Sequence, residues 1–150
     1  MARNDEKKFM MAAIRLARKA KGRAFPNPMV GAVIVGEGRV ISRGFHRKAG
    51  LPHAEALALK RAGRRSRGAD LYVNLEPCAH YGKTPPCVKK IIKSGIKRVY
   101  VAMKDPNPLV NGKGIRALRR KNIRVKCGIC RKEAENLNKP YTDYIEEKYG

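Results

Sequence analysis

Two short segments contain side chains that bind metals and move protons. The first is His53-Ala54-Glu55, and the second is NLEPCAHYGKTPPC, which runs from residue 74 to residue 87 and contains Cys78 and Cys87. Cysteine thiolate and histidine imidazole are preferred ligands of zinc, and a catalytic zinc site has three protein ligands and a fourth position for water. We therefore predict that His53, Cys78 and Cys87 bind one zinc ion per chain.

Glu55 follows the histidine by two positions, which places its carboxylate beside the metal rather than on it. A zinc ion bound in this way lowers the pKa of its water toward neutrality and so supplies a nucleophile for hydrolysis. Hydrolysis also needs a group that transfers protons, and a carboxylate suits that task. We predict that Glu55 is the catalytic proton carrier.

Other interpretations of the cysteines stay open. His80 is a candidate fourth ligand of a closed structural zinc site, although such a site leaves Glu55 and Glu76 without a role. A lone cysteine is more often a small core residue, but two cysteines with His-x-Glu argue against packing alone. Cys127-Gly128-Ile129-Cys130 is a second C-x-x-C. Because no paired histidine or cysteine remains to complete a second metal site, we interpret both of its thiols as packing residues.

The hydrophobic pattern places the candidate ligands where strands and helices join. It predicts a helix from Asn4 to Gly22, an antiparallel hairpin of strands 29–35 and 39–45, and then alternating elements: helices at 53–62, 85–95, 114–121 and 131–137, with strands at 70–75, 98–103 and 123–127. Such alternation predicts a single α/β domain over residues 1–150, with a largely parallel sheet covered by helices on both faces. In such sheets, sites form at the carboxyl ends of the strands.

The chain is strongly basic. Its 150 residues include 35 Lys and Arg against 12 Asp and Glu, a net charge of +23. Between Gly38 and Lys132 the acidic residues are Glu55, Asp70, Glu76 and Asp105. This balance favours phosphorylated substrates, acidic partners or nucleic acid. We expect weak, sequence-indifferent binding of nucleic acid that fades with added salt.

The hydropathy pattern contains no segment long enough to cross a membrane. The longest apolar run, Met29 to Val35, is far shorter than a bilayer requires. Four cysteines without an export signal are typical of a reducing compartment. We expect a cytoplasmic protein without membrane association.

Several spaced motifs resemble the deaminase part of the bacterial riboflavin-biosynthesis deaminase–reductases. They are PNPMVGAVIV, GFH, HAE, EPCAHYGKTPPC and DPNPLVNGKGI, within residues 25–137. Zinc nucleobase deaminases have H-x-E followed by P-C-x-x-C, whereas eight residues separate Cys78 from Cys87 here. The resemblance implies a three-layer α/β/α cytidine-deaminase-like fold with a mixed five-stranded sheet. It also implies zinc-dependent hydrolytic deamination of a diaminopyrimidinone that carries ribosylamino 5-phosphate, with the aminouracil and ammonia as products.

The resemblance also implies residues that bind the pyrimidine and its sugar phosphate. At matching positions these are Asn27, His46, His80, Lys83, Thr84, Asp105 and Asn107. Lys83 and Thr84, beside a predicted helix start, offer a charge and a hydroxyl to a phosphate. From the residues alone, Asn27 is equally an ordinary turn residue, His46 a solvated residue at a strand end, and the segment from Asp105 to Pro108 a simple turn. Whether the sugar is ribosyl or ribityl stays open.

Two other functions remain as alternatives, namely a nucleic-acid (tRNA) base deaminase and a noncatalytic RNA- or protein-binding module. The longer zinc loop and the absence of Trp disfavour the first, and the presence of Glu55 disfavours the second. Bifunctional members of the resembled family continue into a nicotinamide-dependent reductase. Because the residues after Leu137 are too few for a dinucleotide-binding domain, we expect no NADP on this chain and, if it is complete, a separate reductase partner. By analogy with this fold, we expect at least a homodimer.

Overall fold

A mixed five-stranded sheet forms the centre of the protein. The computed structural model describes residues 3–81 and 85–150. The strands are β1 (Gly31–Gly36), β2 (Arg39–Phe45), β3 (Asp70–Val73), β4 (Arg98–Val101) and β5 (Arg124–Cys127), arranged in the order β2-β1-β3-β4-β5. β1 is antiparallel to both β2 and β3, whereas β3, β4 and β5 are parallel. The predicted α/β class, the five strands and the N-terminal hairpin are confirmed.

Helices cover both faces of this sheet. They are α1 (Arg3–Arg18), α2 (Ala54–Ala62), α3 (Cys87–Ser94), α4 (Lys113–Arg120), α5 (Arg131–Leu137) and α6 (Lys139–Tyr149), with a short 3-10 turn at Gly63–Ser66. Buried residues of α2, α3 and α4 form one core with one face of the strands. α1 and α5 form a second core on the opposite face. In the described part of the chain, no helix has the length and apolar character that crossing a bilayer would require.

Successive residues of the strands contribute alternately to the two cores. In β3, Leu71 and Val73 belong to the core with α2, α3 and α4, while Tyr72 belongs to the core with α1. Tyr72 stacks on Tyr100 of β4 with ring centroids 4.4 Å apart. This division follows from the period of two in a strand, where successive side chains point to opposite faces.

Gly44 allows α2 to lie directly on β2. A Cβ atom at this position would stand 2.6 Å from the carbonyl oxygen of Ala54 and 2.9 Å from the backbone nitrogen of Ala58. Atoms cannot pack that closely, so only glycine permits this approach of helix and strand. The contact fixes the first turn of α2, where His53 and Glu55 are located.

The chain contains one helix that the sequence analysis did not predict. α5 is not the last helix, because α6 follows it after Asn138 and buries Tyr141 and Ile145. These two residues are four positions apart and therefore lie on one face of a helix. Pro140 stands in the first turn, where proline is tolerated. The predicted ends of β3 and β4 were also two residues too long, because the chain leaves the sheet there to form the loops of the site.

Candidate active site

The first turns of α2 and α3 meet near the carboxyl end of β3. His53 precedes α2 as its extended N-cap residue, and Cys87 is the first residue of α3. Cys78 lies in the loop that follows β3. The candidate ligand atoms of these three side chains all lie within 4.8 Å of one another. The structure thus brings together the three residues that the sequence predicts as zinc ligands.

The two sulfur atoms share one hydrogen-bonded environment. The backbone N–H of Cys87 donates to Sγ of Cys78 over 3.4 Å, and Nδ1 of His53 lies 3.3 Å from Sγ of Cys87. A hydrogen bond from the Cys87 thiol, with further help from His53, lowers the pKa of Cys78 to about 4. The same bond raises the pKa of Cys87, because its thiol is the donor. A thiolate, a second sulfur and an imidazole in a half-buried pocket fit the donor set of a catalytic zinc site.

Glu55 lies beside this cluster in the first turn of α2. Its side chain is buried, with 4% of its surface exposed, yet it lines the same cleft as His53 and Cys78. Burial, together with the smaller effect of the nearby Cys78 sulfur, raises the pKa of Glu55 to about 7. A carboxyl group with a pKa near neutrality both accepts and donates protons around pH 7. The geometry therefore suits the predicted proton carrier.

A cleft of about 390 Å³ opens over the cluster. This size is within the range of small-molecule sites. Cys87 is buried and does not line the cleft, and Lys83 and Thr84 lie outside the described residues. All the other residues predicted for the site line it, namely Asn27, His46, His53, Glu55, Cys78, His80, Asp105 and Asn107.

His46 and Asn27 form a fixed pair at one wall of the cleft. Nδ1 of His46 lies 3.1 Å from the carbonyl oxygen of Pro52, and Nε2 lies 3.2 Å from Nδ2 of Asn27. A carbonyl only accepts, so Nδ1 holds the ring proton and Nε2 accepts from the Asn27 amide. Burial lowers the pKa of His46, which favours the neutral ring that this arrangement requires. The amide of Asn27 is thereby held in one orientation.

Glu76 has a role that the sequence analysis did not assign. Its Oε1 accepts hydrogen bonds from the backbone N–H groups of Asp105 (3.2 Å) and Gly112 (2.9 Å), and its Oε2 accepts one from Ile115 (3.1 Å). A carboxylate at a helix N-terminus satisfies amides that have no partner within the helix. Glu76 therefore caps α4 and fixes the loop that contains Asp105. The sequence contained one signal for this role: Glu76 is an acidic residue within the cysteine motif, and no chemical role had been assigned to it.

Tyr141 of α6 is a second residue that the sequence analysis missed. It lines the cleft, and its hydroxyl donates to Oδ1 of Asp105 over 2.8 Å. The backbone N–H of Asn107 donates to the same oxygen over 2.9 Å. The sequence analysis did not identify Tyr141 because it did not predict α6.

The interpretation of the second C-x-x-C motif needs a correction. Cys130 is half-buried and packs against the α1 core, as expected, but Cys127 is exposed. Cys127 ends β5, an edge strand whose residues are mostly exposed, so a thiol there has little to pack against. Within residues 3–81 and 85–150, His53, Cys78 and Cys87 form the single group of three or more His, Cys, Asp or Glu residues that could hold a metal.

Known proteins are similar to this chain in sequence and in fold. A family model for the cytidine and deoxycytidylate deaminase zinc-binding region matches residues 3–103. The riboflavin biosynthesis protein RibD of Aquifex aeolicus is 53% identical over 148 residues, which cover 99% of this chain and 42% of that protein. The diaminohydroxyphosphoribosylamino-pyrimidine deaminase of Buchnera aphidicola is 47% identical over 133 residues, 89% of this chain and 90% of that protein.

A solved structure from Thermotoga maritima is similar over the same region. It is described as a diaminohydroxyphosphoribosylaminopyrimidine deaminase/5-amino-6-(5-phosphoribosylamino)uracil reductase, and it matches with a TM-score of 0.92 and 45% identity. The match covers 97% of this chain and 42% of that one. The chain therefore spans less than half the length of the Aquifex and Thermotoga proteins and most of the length of the Buchnera deaminase. The chain belongs to the cytidine and deoxycytidylate deaminase zinc-binding family, and within it to the group that contains the riboflavin-biosynthesis deaminases.

Proposed function

We propose that the protein hydrolytically removes an amino group from a diaminohydroxypyrimidine that carries a phosphoribosylamino group. The products are the corresponding aminouracil and ammonia, in a step of riboflavin biosynthesis. The observation that carries this proposal is the burial of Glu55 beside His53, Cys78 and Cys87 under one cleft. The match to the Buchnera deaminase over 90% of that protein supports the choice of substrate.

In this reaction Glu55 moves the protons. Zinc, when bound by His53, Cys78 and Cys87, supplies a Lewis acid that lowers the pKa of a bound water. Glu55 accepts a proton from the attacking water as the water oxygen bonds to the ring carbon that bears the amino group, and it donates that proton to the adjacent ring nitrogen. It then transfers a second proton from the added hydroxyl to the amino group, which leaves as ammonia. Such proton transfer typically contributes ~10²–10⁴-fold to the rate.

The walls of the cleft orient the substrate. We assign the pyrimidine and its sugar phosphate to the predicted contacts that line the cleft, Asn27, His46, His80, Asp105 and Asn107. We assign the phosphate also to Lys83 and Thr84, which lie outside the described residues. The fixed pair of His46 and Asn27 supports this assignment, since a ligand-binding amide needs a defined orientation.

The charge distribution supports a phosphorylated substrate. All four acidic residues between Gly38 and Lys132, namely Glu55, Asp70, Glu76 and Asp105, are buried. The exposed surface of this region is therefore basic without interspersed carboxylates. Such a surface attracts anions over distances of about a Debye length, ~8–10 Å.

We also propose that a reductase consumes the deaminated product. The Thermotoga relative is described by both activities and extends beyond the region matched here. For this protein the reductase is either a further part of the same polypeptide or a separate partner. We further propose that the reaction takes place in the cytoplasm, because none of the four cysteines forms a disulfide. By analogy with this fold, we also propose a homodimer.

Release of ammonia from three compounds tests the proposed function. The zinc-loaded protein is incubated with the diaminopyrimidine ribosyl phosphate, with cytidine, and with a structured RNA that contains adenosine and cytidine. We expect ammonia from the pyrimidine phosphate alone. Deamination of the RNA would favour a nucleic-acid deaminase. Zinc binding without any deamination would favour the noncatalytic binding module.

A further inference from the structure

The start of α6 contacts two of the loops that line the substrate cleft. Asn138 and Tyr141 are three residues apart, and both are buried, with 1% and 7% of their surfaces exposed. Asn138 contacts the segment that follows Asn27, and Tyr141 contacts Asp105. The family model ends at residue 103, so these contacts come from a part of the chain that the general zinc-binding region does not include.

Asn138 binds both backbone polar groups of Met29. The Met29 N–H donates to its Oδ1 over 2.8 Å, and its Nδ2 donates to the Met29 carbonyl over 2.8 Å. Asn74 donates to the same carbonyl over 3.0 Å and accepts from Gly31 N–H over 2.8 Å. Two buried amides thus fix the backbone only two residues after Asn27, a predicted substrate contact.

Tyr141 fixes the rotation of the Asp105 side chain. Oδ1 of Asp105 accepts from the Tyr141 hydroxyl over 2.8 Å and from the Asn107 N–H over 2.9 Å. The backbone of Asp105 is held separately, because its N–H donates to Glu76. With one carboxylate oxygen held by two donors, the second oxygen has a defined direction in the cleft that Asp105 lines.

We propose that Tyr141 and Asn138 are positioning residues that hold Asp105 and the Asn27 segment in the geometry that binds the substrate. This inference rests on the proposed function. It makes α6 a part of the substrate site rather than only a cover for the domain. Binding groups that are fixed before the substrate arrives do not pay an ordering cost on binding, so their loss raises KM more than it lowers kcat.

Tyr141→Phe tests the first contact while retaining the ring that packs in the core. The lost hydrogen bond lies within the protein and affects the substrate only through Asp105, and we set the resulting loss of binding on the order of 10-fold. We expect KM for the diaminopyrimidine ribosyl phosphate to rise by about that factor, with kcat changed by less than ~3-fold and zinc content unchanged. The matched control is Tyr144→Phe, one turn further along α6, whose ring packs against Phe25. We expect this control to keep the wild-type KM.

A double-mutant cycle with Asp105→Ala separates positioning from a general structural effect. If Tyr141 acts through Asp105, Tyr141→Phe should change KM by less than ~2-fold once Asp105 is Ala, because alanine has no oxygen that could accept from the Tyr141 hydroxyl. A variant that merely folded less well would instead lose active sites, lowering the apparent kcat at the wild-type KM. An equal rise in KM on Tyr141→Phe, whether Asp105 is present or replaced, would overturn the proposal for Tyr141.

Asn138→Asp tests the second contact. The aspartate has the same size and still accepts from the Met29 N–H group. Its second oxygen, however, replaces the amide that donates to the Met29 carbonyl, so two acceptors face each other. We expect Asn138→Asp to raise KM, and to raise it by a smaller factor when Asn27 has already been replaced with Ala. Asn136→Asp, on the exposed side of α5, is the control for the added charge.

The outcomes distinguish this inference from the proposed function. A wild-type protein that deaminates the pyrimidine phosphate, together with a Tyr141→Phe variant of unchanged KM, would overturn the inference and leave the function intact. A wild-type protein that neither binds nor deaminates the compound would overturn both.

Discussion

Oε1 of Glu76 lies 2.9 Å from the backbone nitrogen of Gly112, the N-cap residue of α4. The same carboxylate also accepts from the backbone of Asp105. One buried side chain therefore joins the loop after β3 to the loop after β4. Since Cys78 follows Glu76 by two residues, a predicted zinc ligand and a predicted substrate contact depend on the same support.

Replacing Glu76 with Gln should destabilise the protein. Glutamine has one acceptor oxygen where the carboxylate has two, and its amide would face a backbone N–H group that is also a donor. An unsatisfied buried donor costs about 1–3 kcal/mol. We expect the free energy of unfolding in urea to fall by about that amount, and KM to rise because Asp105 is less well held.

The control for this substitution is Glu147→Gln on the exposed surface of α6. It changes the same charge without touching a buried amide, so its stability should match the wild type. Equal stability of the Glu76 and Glu147 variants would show that the three hydrogen bonds of Glu76 do not support the fold.

Replacing either Cys78 or Cys87 with Ser should release zinc. Each change removes a sulfur from the three-ligand cluster, and zinc affinity is coupled to folding, so the melting temperature should fall as well. Metal content measured by atomic absorption checks this. Cys127→Ser is the matched control, because this thiol is exposed at the end of β5. Loss of zinc from the Cys127 variant would instead indicate a second metal site at the C-x-x-C motif.

Nucleic acid should bind the basic surface weakly and without sequence preference. The four acidic residues between Gly38 and Lys132 are buried, so little on that surface opposes a phosphate backbone. Such binding weakens steeply with salt because it depends on counterion release. Fluorescence anisotropy with unrelated oligonucleotides should show binding at low salt that is lost near ~0.15 M salt. Sequence-selective binding at that salt concentration would contradict the assignment of a small-molecule substrate.

The fold was largely predictable from local patterns. Period-two and helical spacing of apolar residues reflect which face is buried. The hairpin turn has Glu37 and Gly38 both at positive φ, as a two-residue turn of type I′ requires. α6 was missed because only Tyr141 and Ile145 are buried in it. Two buried positions make a weak periodic signal, and the helix depends on tertiary packing that one sequence does not display.

The chemistry of the site was predictable where residue type determines the role. Cysteine and histidine at strand–helix junctions indicate zinc from their ligand chemistry alone. Glu76 and Asn138 act on backbone groups distant in sequence, at Gly112 and Met29. Nothing in the type of an Asn or Glu specifies such a partner, so these supports emerge only from the structure. The exposure of Cys127 likewise follows from the position of β5 at the sheet edge, which the sequence does not determine.

The central claim is that Glu55 transfers protons in a zinc-dependent deamination without binding the metal. Glu55→Gln keeps the size of the side chain and removes its ability to accept a proton. The decisive measurement is ammonia release from the diaminopyrimidine ribosyl phosphate together with zinc content in the same preparation. We expect about one zinc per chain with turnover reduced by at least ~10²-fold. Turnover close to the wild type, or loss of the zinc, would contradict this role for Glu55.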